Sequence, residues 1–242
     1  MSLPLSAYKK MPKRMPLSLG FDRYALYFDG EDDYGEVPNS PSLNPDYITF
    51  EVLFKIPKFP DIVQHPFSKP YIDDTYPWHQ YSTWYHSNWH DLGASITVNG
   101  EEHPLRCYIT PKENVWYHLV GVYDGEFRVY LNGELRNRKY IGDPIDKYDT
   151  PLWIARWYYK RMNVIIAFIR IYNRALSESE IRYNLLNYHN PIRDGLILWL
   201  DFEEGHGDKV YDKSGYGNHG TIYGGAKWIK VRQYELRAEV GL

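Results

Sequence analysis

Between residues 57 and 91 the chain gathers the side chains best suited to holding a hydroxylated ligand: Trp78, Tyr81, Trp84, Tyr85 and Trp89, interleaved with His79, His86, His90, Asp73 and Asp74. Flat aromatic faces stack on the C–H faces of sugars, while short polar groups beside them meet hydroxyls. The same residue types are enriched in subunit interfaces and as cover over a sheet, so these five aromatics are candidates for ligand binding or for burial against protein. His86 and His90 would share a face only on a helix, which the neighbouring prolines and aromatics disfavour, so their spacing argues little for zinc.

The acids are placed differently. Hydrolysis of a glycosidic bond by two carboxylates needs them about 5–5.5 Å apart for retention or about 6.5–9.5 Å for inversion, hence at alternating positions if one strand carries both. Glu203-Glu204 and Asp32-Asp33 are adjacent pairs, which a strand turns to opposite faces. No catalytic residues are expected. Gly-rich phosphate loops and Cys/His zinc spacings are absent from the sequence as well. Calcium is a better match, because hard cations take carboxylate, amide and backbone oxygens from turning loops. Asp212, Ser214 and Asn218 stand at positions one, three and seven of such a loop, with Gly215 and Gly217 to bend it, and Asp29, Asp32 and Asp33 form a second acidic loop. The expected metal ligands are therefore Asp212 and Asn218, then Asp29 and Asp33, although these residue types are also ordinary turn formers.

Strands must position these groups. Val120 to Leu135 alternates in period two and is broken by Asp124-Gly125 and Asn132-Gly133, as hairpins with type I′ turns would be. Asn99-Gly100 is a further hairpin signal. Ile48, Phe50, Val52 and Phe54 alternate on one face of a core strand, and 164–172 is nearly continuous in apolar residues, as a strand buried on both faces would be. Ser177 with Glu180 three later forms a capping box, so one short helix is expected near 178–188. Residues 57–91 show little alternation and read as a long insertion between strands.

Trp116-Tyr117-His118, then Tyr123-Asp124-Gly125, then Val129-Tyr130-Leu131-Asn132-Gly133 resembles the laminin-G-like, concanavalin A-like lectin/glucanase jelly-roll family. So does Ile171-Tyr172-Asn173-Arg174-Ala175-Leu176-Ser177, which is similar to the family's closing signature. The resemblance implies an all-β, two-sheet antiparallel jelly-roll sandwich. Leu196–Phe202 and Asp212–Ile222 resemble the family's opening strands yet lie near the C-terminus. A lone half-repeat would expose unpaired edges, so a circularly permuted single sandwich over 20–242 is expected, with 195–232 completing it.

Composition narrows the rest. At 242 residues an undivided sandwich is reasonable. A net charge of −3 supplies no field for nucleic acid, so neither that partner nor insertion into a membrane is expected. Cys107 is the single cysteine; it excludes an internal disulfide and reads as a small buried residue. Residues 1–19 carry Lys9, Lys10, Lys13 and Arg14, no acid, and two Met-Pro pairs, which suggests an extended basic arm rather than a secretion signal. Family resemblance points outside the cell, and the reading that reconciles this with the missing signal is a virion or surface-assembly component. The expected function is non-catalytic recognition of glycans or neighbouring subunits; the alternative is a soluble carbohydrate-binding protein or glycoside hydrolase.

Overall fold

Ile48, Phe50, Val52 and Phe54 all enter one apolar core, while Thr49, Glu51 and Leu53 face the other way and are buried too. Their strand is therefore covered on both sides. The computed structural model describes residues 22–72 and 75–232; the expected arm, 1–19, and Asp73 and Asp74 lie outside the described residues. In order come β1 (Asp22–Asp29), β2 (Tyr34–Val37), β3 (Ile48–Lys55), β4 (Gln64–Pro70), β5 (His79–His86), β6 (Asp91–Val98), β7 (Glu101–Arg106), β8 (Trp116–Tyr123) and β9 (Glu126–Leu131). They continue with β10 (Glu134–Tyr140), β11 (Leu152–Ile154), β12 (Arg156–Trp157), β13 (Lys160–Arg161), β14 (Asn163–Tyr172), α1 (Glu178–Leu186), β15 (Leu196–Leu200), β16 (Lys209–Val210), β17 (Gly220–Tyr223) and β18 (Lys227–Arg232).

Two antiparallel sheets enclose the core. One runs β10-β9-β8-β3-β14-β1-β18, and the other β16-β17-β2-β11-β4-β5-β6-β7; β12 and β13 form a small separate ribbon. β1 and β15 divide one edge of β14 between them, Leu26 opposite Ile166 and Leu200 opposite Ile169. Thus the C-terminal strands lie within the two sheets and form no separate repeat. A bulge between Ile166 and Phe168 lets β14 keep Val164, Ile166, Ile169 and Ile171 in the core while Ile165, Phe168 and Arg170 face outward.

Two expectations need correction. Residues 57–91 are not a loop insertion, for β4, β5 and the start of β6 are central strands of the second sheet. Their period-two pattern was masked because the outward positions are also aromatic or buried. The Asn99-Gly100 and Asn132-Gly133 turns do have positive φ at both residues, but Asp124-Gly125 has it only at Gly125. Its hairpin closes at Tyr123 opposite Phe127, leaving a three-residue loop.

The outer face of the first sheet is roofed by α1, whose capping box joins Ser177 and Glu180 as expected. Under it Glu51 is fully buried and accepts hydrogen bonds from Arg170 Nη1 at 2.9 Å, His118 Nε2 at 2.9 Å and Asn184 Nδ2 at 3.0 Å. Arg170 also donates to the Tyr188 carbonyl beyond the helix. Burial opposes ionisation of Glu51, but Arg170 and His118 outweigh it and hold the carboxyl below the usual range. Removing the charge from one partner strands the other in a dry site, at a cost of about 3–5 kcal/mol. Glu51→Gln should therefore lower the melting temperature markedly in calorimetry. Because the folded-state pKa is depressed, this contribution is present above the unfolded carboxylate range and is lost as pH falls through the folded value. The stability gap between parent and variant should close in acid.

Candidate functional site

Alternation along β5 divides the expected ligand-binding aromatics. Tyr81 and Tyr85 turn inward: both belong to the core, Tyr81 donates from its hydroxyl to the Leu43 carbonyl at 3.1 Å, and Tyr85 is paired with His90 Nδ1 at 2.8 Å. They are structural. Trp84 turns outward, and with Trp78 and Trp89 it lines a cleft of about 300 Å³ on the outer face of the second sheet. The structure thus brings together three of the five and sets two behind the sheet.

Close approach of the backbone seats Trp84. A Cβ on Gly93, its partner across β6, would stand 2.2 Å from the indole ring, so only glycine lets the ring lie flat there. The Trp84 N–H donates to Ser95 Oγ at 2.9 Å, and Ser95 in turn hydrogen-bonds Glu102. Trp89 stacks on His86 with centroids 3.9 Å apart and meets Trp84 edge-on at 5.9 Å. These rings form one wall.

Residues not singled out from the sequence complete the cleft. His65 from β4 packs against His79 at 4.4 Å and against Trp157 of β12 at 5.3 Å, while Trp157 meets Trp78 edge-on at 6.1 Å. The ribbon that delivers Trp157 is tied to β4 by Ala155 N–H to the Pro66 carbonyl at 2.9 Å. Farther along β4, buried Lys69 donates to the carbonyls of Tyr148 and Thr150, both at 2.6 Å, and to Asn39 Oδ1 at 2.9 Å. Burial pushes the Lys69 pKa down to about 8. Among the described residues Glu102 is the one carboxylate lining the cleft; its nearer oxygen is 3.9 Å from His79 Nε2, and burial raises its pKa.

The four expected metal ligands fall in two places. Asp212 is committed internally, accepting from the N–H groups of Trp199, Ser214 and Asn218 and from the Ser214 hydroxyl at 2.7–3.0 Å. Asn218 donates to Ser42 Oγ and the Ile197 carbonyl, so this turn serves to pin β15. Asp29, Asp32 and Asp33 instead converge, with ligand atoms within 4.8 Å of one another. Burial raises the Asp33 pKa, the Asp29 and Asp32 charges add to it, and the Asp29 N–H bond partly opposes it. Such crowding is what a divalent cation would relieve. Glu203 and Glu204 are spent elsewhere: Glu203 pairs with Arg23 at 3.1 Å, and Glu204 accepts from the Tyr211 N–H at 2.8 Å.

A family model described as the concanavalin A-like lectin/glucanases superfamily matches residues 29–182. No curated protein matches. Similar solved structures include a "putative carbohydrate binding protein" from Bacteroides ovatus, at 18% identity and TM-score 0.67, covering 87% of this chain; the chain spans 60% of that protein's length. A heptameric SAP-like pentraxin from Limulus polyphemus is similar at 16% identity and TM-score 0.54, with 83% of this chain and 94% of that one covered. Trypanosoma rangeli sialidase shares 17% identity at TM-score 0.51 over 68% of this chain and 28% of its own. At these identities the likeness is one of fold.

Gly93→Ala tests how the cleft is built. The new methyl must displace Trp84 and also crowds the Leu105 carbonyl at 2.3 Å, so overpacking should cost about 1–3 kcal/mol. Thermal melting should fall accordingly, and the tryptophan fluorescence maximum should shift as Trp84 leaves its seat.

Proposed function

The chain belongs to the concanavalin A-like lectin/glucanases superfamily, and from that premise we propose that it is a non-catalytic protein that binds glycans in the cleft between Trp84 and Trp157. The carrying observation is the convergence of Trp78, Trp84, Trp89 and Trp157 around a concave site that also holds histidine and serine side chains. Indole faces fit the apolar faces of a sugar ring, and the polar atoms between them fit its hydroxyls. A cleft of about 300 Å³ falls within the usual range for small-molecule sites, about 300–1,000 Å³. Carbohydrate binding named for the Bacteroides ovatus relative agrees with this reading.

A subunit interface would use the same aromatics, and exposed Trp89 and Tyr108 at the rim are what such an interface would cover. Enclosed polar atoms favour a small hydroxylated ligand instead. The proposal of a virion or surface-assembly role rests on the basic arm, 1–19, which lies outside the described residues. Among the described residues no helix is long and apolar enough to cross a membrane.

Trp84→Ala should abolish glycan binding on an array and in calorimetry, while the parent binds and releases no reducing sugar from the bound glycan. Release that disappears on changing Glu102 would make the cleft an active site. For calcium we propose the Asp29, Asp32 and Asp33 loop in preference to Asp212, whose oxygens already have donors. Saturating calcium should raise the melting temperature by binding the native state, and chelator should reverse it. Asp32→Asn should remove the response and Asp212→Asn should not.

A further inference from the structure

His65 is 2% exposed and its Nδ1 lies 3.0 Å from the Thr83 carbonyl. A carbonyl only accepts, so Nδ1 carries the proton. Burial pushes the His65 pKa down to about 3, with nearby His86 adding to the effect, and His79 is likewise held neutral by burial and by His65. Nε2 of His65 is therefore a bare lone pair, and it has no protein partner. Nδ1 of His79 and the Nε1 proton of Trp157 are unpartnered as well. A buried acceptor and a buried donor on adjacent rings, both belonging to residues that line the cleft, want a ligand able to donate and to accept. A hydroxyl does both, and neighbouring hydroxyls on one ring can serve the two groups together.

Charge sets the second limit. Among the described residues no Lys or Arg lines the cleft, and the one formally charged group there is Glu102. The nearby cation, Arg106, is held at 2.9 Å by buried Asp91 and lies over the rings of Trp89 and Tyr108. A carboxylate or sulfate entering the cleft would thus lose its water with no cation to meet it, and would approach Glu102. A shared metal is not the answer to the unpartnered imidazoles either, since among the described residues only Asp29, Asp32 and Asp33 gather three ligands.

We propose that the cleft selects an uncharged sugar residue over carboxylated or sulfated ones, reading its hydroxyls with His65 Nε2 and the Trp157 N–H. The inference rests on the glycan-binding reading and adds the class of glycan. It also makes His65 and Trp157 specificity-determining residues.

The test is calorimetry on the full chain at neutral pH, with methyl glycosides of glucose, galactose and mannose as neutral probes and glucuronate, galacturonate and N-acetylneuraminic acid as charged ones. At least one neutral probe should bind at least tenfold more tightly than its charged counterpart. His65→Phe keeps the ring but removes the acceptor, and Trp157→Phe keeps an aromatic face but removes the donor; each should weaken the neutral sugar by about tenfold, the effect of one lost hydrogen bond in an enclosed site. Melting curves check that each variant is folded, and the Trp157 variant together with the parent's probe comparison decides the matter if His65→Phe is not. Charged probes binding as tightly as neutral ones, or folded variants with parental affinity, would overturn this inference and leave glycan binding standing. Binding of neither class would overturn both.

Discussion

A strand sends successive side chains to opposite faces, and in β5 that constraint decides what each aromatic can do. Tyr81 and Tyr85 take the inward positions, where Tyr81 stacks on Phe50 at 5.6 Å and Tyr85 on Phe59 at 4.7 Å. Trp84, between them in sequence, is forced outward. One strand therefore supplies part of the hydrophobic core and one wall of the cleft. The two cannot be exchanged: a register slip of one residue would bury Trp84 and expose the tyrosines. The site is as firmly placed as the core because the same pleat builds both.

The two outer faces of the sandwich have different fates. Over the first sheet, α1 packs Leu185 against an apolar patch that includes Trp116 and Phe168, and it encloses Glu51, Arg170 and His118. A buried ion cluster contributes little net stability against a well-packed apolar alternative, but its fixed geometry links β3, β8, β14 and the helix in one arrangement. Over the second sheet the cover is the short β12–β13 ribbon, anchored next to β4, and it leaves the cleft open beside β5 and β6. The aromatic cleft thus lies on the face that its cover leaves partly open.

Much of the frame was legible in the sequence. The period-two run at 48–54, the near-continuous apolar run at 164–172, the Asn-Gly turns and the Ser177–Glu180 box are local signals whose physics does not depend on distant partners. Trp78, Trp84 and Trp89 were recognisable as binding candidates on residue type alone. What failed was local too. In β4 and β5 both faces are buried, so apolar and polar residues no longer alternate and the strands read as a loop. His65 and Trp157 were invisible as site residues because they are far apart in sequence and meet only through sheet pairing. Asp212 shows the converse: loop spacing suited to calcium is also what a carboxylate needs to collect three backbone N–H groups.

Fold likeness across pentraxin, sialidase and this chain says little about ligand, since one sandwich can carry many sites. The side chains must settle the chemistry. Among the described residues the cleft combines indole faces, neutral imidazoles and one acid. A wet histidine at neutral pH would be partly protonated, but burial holds His65 and His79 in their neutral form, and burial also raises the Glu102 pKa. The aromatic walls therefore do more than stack. Burial in the cleft they line keeps its two innermost histidines neutral.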